Sequence, residues 1–220
     1  MVSALQSRPD RVQEAHAALK QAIVTGELQP CAPLAQEELA ASLGVSRQPV
    51  SHALALLKQE GLVIDRGRKG LMVAPIEAGR ILAFYQVRGA LDGLAAQLAA
   101  ATPDRSRSLT PLLDAGTQAL VDRDIDALVE ADAAFHQGLY AASGNDAIAE
   151  VASRAWPHFR RSMRAVLEDP TLLSRVWAEH AAIVAAVQAG DVTQARALAE
   201  QHATNAGQAT YARLTTGPTP

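Results

Sequence analysis

Four side chains in the second half of the sequence have the types and the spacing that could bind a metal ion. Asp132 and His136 lie four residues apart in the segment EADAAFHQGLY, so on a helix they share one face. His180 and His202 each lie eleven residues from position 191, where a Gly-Asp pair predicts a turn between two helices. In an antiparallel helical hairpin both imidazoles would lie about 16 Å from the turn, at 1.5 Å per residue.

Together these side chains would form a site of three imidazoles and one carboxylate. Such ligands suit a divalent metal ion, with zinc expected first and nickel, cobalt, manganese and iron as alternatives. The competing interpretation is that Asp132 and His136 form an ordinary surface pair, and that the other two histidines are unrelated. The matching distances from the turn favour the metal site.

The elements that must position these residues are helices. Apolar residues recur at helical spacing, and Pro and Gly residues punctuate them, over 77–101, 104–122, 124–142, 146–168, 171–189 and 191–213. Pro157 falls inside the fourth of these segments and should kink or interrupt it. Six helices over residues 76–215 predict a compact antiparallel bundle, followed by a polar tail at 216–220.

Residues 1–75 follow a different pattern of short elements. Helical spacing covers 11–25, AQEELAASLG and VSRQPVSHALALLKQEG, and Ser46 is a favoured N-cap residue for the third helix. ELQPCAPL contains two prolines and is expected to be a connector, whereas LVIDRGRKGLMVAP predicts a small β-hairpin. The fold class is therefore mostly α, with an N-terminal winged helix-turn-helix and a C-terminal helical bundle.

The polar residues of the first domain have the chemistry of a DNA-binding surface. At the start of a recognition helix, Arg can bridge guanine, Gln can bridge adenine, and Ser can bind a phosphate or a base. The glycine-flanked basic hairpin is a wing suited to phosphates or the minor groove. The candidate DNA contacts are Ser46, Arg47, Gln48, Ser51 and His52 on the helix, and Arg66, Gly67, Arg68 and Lys69 on the wing.

Composition sets the limits on function and location. Residues 1–75 hold eight Lys and Arg against seven Asp and Glu, whereas the remainder holds twelve against sixteen, so the basic balance lies in the first domain. The single Cys31 excludes an intramolecular disulfide and a multi-cysteine zinc site. The sequence shows no signal-peptide core and no apolar stretch of the ~18 residues that a membrane span needs. We therefore expect a soluble, cytoplasmic protein that is not embedded in a membrane.

The first domain resembles the winged helix-turn-helix of GntR-family transcriptional regulators over nearly all of residues 11–75. TGELQPCAPL, EELAASLGVSR and LLKQEGLV occur in the order typical of that family. The resemblance implies DNA contacts from Ser46, Arg47 and Gln48 and from the wing glycine with its neighbours. The family usually has an Arg and an acidic residue where this chain has Ser51 and His52, so its operator preference is expected to differ.

The second domain resembles the FCD effector domain of the FadR subfamily in FYQVRGALDGLAAQLAA, DAAFHQGLYAASGN and WAEHAAIVAAVQAGD. Six helices instead of seven indicate the VanR-like branch. The resemblance implies that the Asp and three His residues bind a metal, which helps to hold a small carboxylate effector. It also suggests Arg88 as a partner of that carboxylate, with a salt bridge to Asp92 as the alternative. Trp177 either walls the pocket or fills the core.

The sequence thus predicts a homodimeric regulator that binds an inverted-repeat operator in double-stranded DNA and responds to a small carboxylate, and we expect it to act as a repressor.

 Two alternatives remain at this stage. The bundle could sense the metal ion alone, or it could be a metal-dependent enzyme fused to a DNA-binding module. The second alternative lacks support, because the sequence contains no HExxH motif and no Ser-His-Asp arrangement beside the metal ligands.

Overall fold

The structure is a computed structural model that describes residues 11–102, 104, 108–166 and 170–216. The chain divides into two compact units, with the boundary between Pro75 and Ile76. The first unit combines short helices with a small sheet, and the second is helical wherever it has regular structure in the described residues.

The first unit contains the predicted helix-turn-helix and wing. Its elements in chain order are α1 (Arg11–Thr25), β1 (Pro33–Leu34), α2 (Gln36–Leu43), α3 (Arg47–Gln59), β2 (Val63–Asp65), a 3-10 turn (Gly67–Lys69) and β3 (Leu71–Val73).

A tight turn joins α2 to α3. Gly44 ends α2 with φ 64°, a left-handed conformation that glycine adopts without steric cost. Ser46 is the N-cap residue of α3, as predicted, although its side chain makes no capping hydrogen bond. One face of α3 packs into the core of the first unit through apolar residues that are fully buried: Val50, Ala53, Leu54 and Leu57.

The hairpin is confirmed, but the connector before α2 is more ordered than the sequence predicted. β2 and β3 pair antiparallel, with Ile64 opposite Met72. Residues 33–34 of the presumed connector form β1, which pairs antiparallel with β3 and gives the sheet order β1-β3-β2. Pro33 is tolerated because β1 is an edge strand, where a missing N–H costs no ladder hydrogen bond.

The second unit is an antiparallel helical bundle. Its elements are α4 (Ala78–Ala100), α5 (Thr110–Asp122), α6 (Ile125–Ser143), α7 (Asp146–Ser153), α8 (Trp156–Val166), α9 (Pro170–Gln188) and α10 (Val192–Thr215). The predicted tail at 216–220 lies outside the described residues except for Thr216.

The expected count of six helices is wrong, because the described part of the bundle contains seven. The segment predicted as one helix over 146–168 is two: α7 ends at Ser153 and α8 begins at Trp156. Pro157 explains the break, since it has no N–H for the carbonyl of Ser153 and its ring would clash with that carbonyl. The seventh helix also removes the reason for choosing the VanR-like branch.

Small residues let the two longest helices of the bundle, α4 and α10, pack closely. A Cβ at Gly207 of α10 would lie 2.7 Å from Cβ of Tyr85 on α4, so only glycine fits at this crossing. This contact fixes α4, which carries Arg88, against α10, which carries His202. None of the helices in the described residues has the length and hydrophobicity that crossing a membrane requires.

Candidate functional site

The start of α3 presents polar side chains to solvent. The backbone of Ser46 is extended, and α3 begins at the next residue, so the first turn of the helix projects its side chains outward. Such groups can bind base edges and phosphates in the major groove. The predicted contacts on this helix are all exposed: Ser46, Arg47, Gln48, Ser51 and His52.

Arg47 is paired with a carboxylate of the preceding helix. Its Nη1 donates to Oε1 of Glu37 at 2.8 Å, and the two side chains are 66% and 75% exposed. A pair this exposed contributes only about 0–1 kcal/mol to stability. Arg47 can therefore exchange Glu37 for an acceptor on DNA at small cost.

The wing places basic side chains around a glycine turn. The amide of Arg66 donates to the carbonyl of Gly70 at 2.7 Å and closes the tip. Gly67 has φ 61° within this turn, which favours glycine. The predicted wing residues Arg66, Gly67, Arg68 and Lys69 are all exposed, as a surface that contacts phosphates requires.

Inside the bundle, the structure brings the four predicted metal ligands together. Asp132 and His136 come from α6, His180 from α9 and His202 from α10, and all four are buried. One potential ligand atom of each lies within 4.8 Å of the others. Nε2 of His180 is 3.2 Å from Nε2 of His202 and 3.6 Å from Oδ1 of Asp132. Nε2 of His136 is 3.9 Å from the same oxygen.

These distances fit a divalent metal ion. Ligand atoms about 2.1 Å from a tetrahedral ion lie about 3.4 Å from one another, close to the observed separations. Oδ2 of Asp132 and Nδ1 of His180 are buried without a hydrogen-bond partner among the described residues. The cluster therefore contains polar atoms that its surroundings do not satisfy, and its donor set could hold zinc or a related ion.

A carboxylate lies beside Nδ1 of two of the imidazoles. Nδ1 of His202 lies 2.8 Å from Oε2 of Glu179, and Nδ1 of His136 lies 3.1 Å from Oδ2 of Asp92. Each contact leaves Nε2 of the ring for the centre of the cluster, which is the usual arrangement around metal-binding histidines.

Burial keeps two of the rings neutral. It lowers the pKa of His180 well below its ordinary value, and the neighbouring His202 and His136 lower it further. Burial also lowers the pKa of His136, with a further contribution from the Arg88 cation. A neutral ring offers the lone pair that a metal ion needs.

Arg88 lies beside the cluster and joins it to Asp92. Its Nε donates to Oδ2 of Asp92 at 3.1 Å, its Nη2 donates to Nε2 of His136, and Nη2 is 3.7 Å from Oδ2 of Asp132. Burial alone would lower the pKa of Arg88, but the two carboxylates raise it by more, so the guanidinium stays charged. The salt bridge to Asp92 is thus present, and Arg88 also reaches the cluster.

A cavity opens next to the cluster. Its volume is ≈ 40 Å³, and one water molecule needs about 10–15 Å³ on this measure. Arg88, Asp132, His202 and Trp177 all line it. Trp177 therefore forms part of the cavity wall. Its indole packs tightly against Gly116, because a Cβ at that position would lie 1.9 Å from the ring.

Comparison with known families identifies both units. The family model described as bacterial regulatory proteins, gntR family, matches residues 11–73. The FCD domain model matches residues 83–205. The chain belongs to the GntR family. Its second unit is an FCD domain, and the protein is therefore a DNA-binding transcriptional regulator of the GntR/FCD type.

Similar regulators occur in several bacteria. This GntR protein is 35% identical over 189 residues to an uncharacterized HTH-type transcriptional regulator in an unstable DNA locus of Streptomyces ambofaciens, covering 84% of this chain and 78% of the relative. It is 29% identical over 127 residues to the HTH-type transcriptional repressor RspR of Escherichia coli K12, covering 57% and 56%. These relatives are regulators, which rules out the enzyme alternative for this GntR protein.

Solved structures share the fold of this GntR protein. E. coli McbR/YncC aligns with a TM-score of 0.77 at 22% identity, over 97% of this chain and 100% of that chain. A transcriptional regulator GntR from Rhodococcus sp. RHA1 aligns with a TM-score of 0.78 at 23% identity, over 91% and 97%.

Three residues around the GntR protein's buried cluster were not predicted to contact it, although Asp92 was named as a possible salt-bridge partner of Arg88. Asp92 contacts both Arg88 and His136, and Tyr140 donates to Asp92 at 2.6 Å. Glu179 directly precedes His180 on the helix, so helical periodicity alone would point it away from the site. It points instead across the α9–α10 hairpin to His202. Only the packing of one helix against the next could reveal this contact.

Proposed function

We propose that this GntR regulator binds a divalent metal ion in the bundle and uses it to sense a small carboxylate. The observation that carries the proposal is the buried convergence of Asp132, His136, His180 and His202 next to a cavity that Arg88 also lines. The ion that fits best is zinc, because three imidazoles and one carboxylate are common zinc ligands. When bound, such an ion supplies a positive charge that can hold a carboxylate oxygen.

The charges of the protein's own residues favour an anionic effector once a metal is present. Arg88 is charged, and Asp92 is ionised despite its burial, because the Arg88 charge and hydrogen bonding from His136 and Tyr140 lower its pKa. With Asp132 as a carboxylate, these three groups sum to −1, and the charge of Glu179 is left out of the sum because Arg175 pairs with it at 3.8 Å. A divalent ion changes the balance to +1, and a monoanion would then neutralise the site, as burial of charge requires.

Arg88 has a specific task in this proposal. Its Nη2 now donates to Nε2 of His136, the atom that would face a metal ion. Its Nη1 is buried and has no hydrogen-bond partner among the described residues. When His136 serves as a ligand, Nη2 is released as well. Both Nη atoms can then donate to one carboxylate, while Nε keeps Arg88 fixed on Asp92.

The regulator is proposed to act as a homodimer on an inverted-repeat operator, since GntR regulators are typically dimeric and bind DNA operators. Two apolar residues, Val87 (57% exposed) and Leu94 (38% exposed), lie seven residues apart on one face of α4 and support dimer contact through the bundle.

A Leu94→Glu variant tests this contact and should be monomeric in light-scattering chromatography. Val121→Glu, at a residue 71% exposed on α5, should not change the mass. Equal masses for all three proteins would remove this surface from the proposal.

We infer that the protein represses transcription and that the effector relieves this repression. We place it in the cytoplasm, because a regulator of this type must reach the bacterial chromosome. The repressor name of RspR, a relative of this chain, supports this polarity. The acid must bind the DNA-competent and incompetent arrangements with different affinity, because only such a difference shifts the equilibrium.

The test combines melting and DNA binding. Untagged protein is melted with a panel of small carboxylates, with and without a chelator. An operator selected from random duplexes is then titrated under the same conditions. An acid that binds the native state at a hundredfold excess over its Kd stabilises it by about 2.7 kcal/mol. We expect this stabilisation and the release of DNA only with metal present. If metal alone changes operator affinity and no acid has an effect, the protein is a pure metal sensor.

A further inference from the structure

The cavity beside the metal-ligand cluster has one polar end and one apolar end. The polar end is formed by Arg88, Asp132 and His202. Apolar side chains from three helices, α6, α8 and α9, form much of the remaining wall: Leu128, Met163, Leu172, Leu173, Val176 and Trp177. A ligand that places its charged group beside Arg88 would therefore place the rest of its body against hydrocarbon.

The other polar groups of the wall are engaged within the protein. Burial raises the pKa of Tyr85, and the side chain of Thr210 lies close enough to Tyr85 to lower this pKa in part. Nδ1 of His202 is held by Glu179. Among the described residues, the buried lining atoms without a hydrogen-bond partner are Nη1 of Arg88 and Oδ2 of Asp132, both at the polar end. A ligand hydroxyl at the apolar end would lose its water and gain little in return.

We infer that the effector is a short monocarboxylic acid with a hydrocarbon body, and not a sugar acid or a dicarboxylic acid. This inference rests on the proposed function, because it assigns the ligand class of the same site. Arg88 is the one Arg or Lys among the described lining residues, so the protein offers no cation to a second carboxylate. The apolar wall recognises the body of the acid by excluding water from it.

The test compares acids of matched length by calorimetric titration into zinc-loaded, full-length protein. Hexanoate, gluconate and adipate all have six carbons, but gluconate carries five hydroxyls and adipate a second carboxylate. We expect hexanoate to bind at least about a hundredfold more tightly than either of the others. From acetate to butyrate the affinity should rise about fourfold with each methylene, the gain that burial of one CH₂ provides.

The outcomes separate this inference from the proposed function. Metal-dependent binding of gluconate or adipate without binding of hexanoate would overturn the inference and leave carboxylate sensing intact. If none of the acids binds the zinc-loaded protein, both fall. Tight binding of hexanoate that a chelator does not weaken would support the apolar pocket and remove the metal from recognition.

A pair of variants tests the wall directly. Met163 is buried on α8 and lines the apolar end. Met163→Leu keeps the wall apolar and should leave the Kd for hexanoate within about threefold of wild type. Met163→Gln has a similar size but adds an amide, and should weaken hexanoate binding about tenfold while zinc stoichiometry is unchanged. Equal hexanoate affinities in the two variants would overturn the assignment. If the Gln variant does not fold, the acid series on Met163→Leu decides.

Discussion

The two units each contain an arginine paired with a carboxylate, and the two pairs differ in almost every physical respect. Arg47 and Glu37 are 66% and 75% exposed, whereas Arg88 and Asp92 are 2% and 1% exposed. Water screens the first pair, so it is weak and Arg47 is available to a partner. The second pair is fixed, because leaving either charge alone in the interior is costly. The proposed DNA-binding surface thus leaves Arg47 free to change partner, whereas the buried site holds Arg88 in a fixed position.

The largest expected effect comes from breaking the buried pair. Arg88→Met leaves Asp92 without its cation and should destabilise the bundle by about 3–5 kcal/mol. Arg47→Met should cost no more than about 1 kcal/mol. Urea unfolding checks both: fluorescence of Trp156 and Trp177, the two tryptophans of the sequence, reports on the bundle, and circular dichroism reports on both units. Similar losses for the two variants would contradict the comparison.

For DNA binding, in contrast to stability, we expect Arg47 to matter more than Arg88. Arg47→Ala should weaken binding to the selected operator by about 1–3 kcal/mol without lowering the melting temperature. Arg196→Ala is the matched control, because Arg196 is also exposed and paired, with Glu200 at 2.8 Å, but lies on α10 of the bundle. Fluorescence anisotropy with labelled operator measures both. Unchanged affinity in Arg47→Ala would remove this residue from the DNA-binding surface.

The tight cavity wall predicts a smaller effect on stability. Gly116→Ala places a Cβ against the ring of Trp177 and should destabilise the bundle by about 1–3 kcal/mol. Gly79→Ala is the control, because nothing lies within 4 Å of a Cβ there. That change should be neutral or stabilise by up to about 1 kcal/mol. Thermal melts compare the two, and a neutral Gly116→Ala would mean that Trp177 is free to move.

The smallest effect concerns a half-exposed carboxylate of the first unit. Burial raises the pKa of Glu60, but Lys20 at 2.9 Å and His16 at 2.8 Å lower it by more, so the net shift is downward from 4.5. A lowered pKa contributes stability above the ordinary pKa, and this stability is lost as the pH falls through the lowered value.

Glu60→Gln should therefore lower the melting temperature at pH 7, and the difference from wild type should shrink as the pH falls below 4.5. Glu14→Gln, at an exposed position of α1, should show no such trend. A difference for Glu60→Gln that is constant with pH would mean that the carboxyl charge is not responsible.

The sequence predicted those features that depend on local chemistry. The helix-turn-helix follows from Gly44 and the apolar spacing of α3, and the α9–α10 hairpin follows from residues 190–191. The equal distances of His180 and His202 from that turn correctly placed the two rings side by side. A kink or an interruption at Pro157 was predicted, but the segment was still counted as one helix, and the structure divides it into two.

The remaining features depend on packing between elements. β1 has two residues and exists only because β3 lies beside it. Asp92 and Glu179 reach the cluster from neighbouring helices, and no spacing within one helix indicates such contacts. The apolar end of the cavity combines residues from α6, α8 and α9, which only the folded bundle brings together.

Metal stoichiometry tests the central claim most directly. Untagged protein is stripped with a chelator, dialysed against zinc, and its bound metal is counted by elemental mass spectrometry. We predict one ion per chain in the wild type, and well below one in His136→Ala. His52→Ala, which removes an exposed histidine of α3, should retain one ion. A wild-type protein that binds no ion, or a His136→Ala variant that keeps a full one, would contradict the account of the buried site.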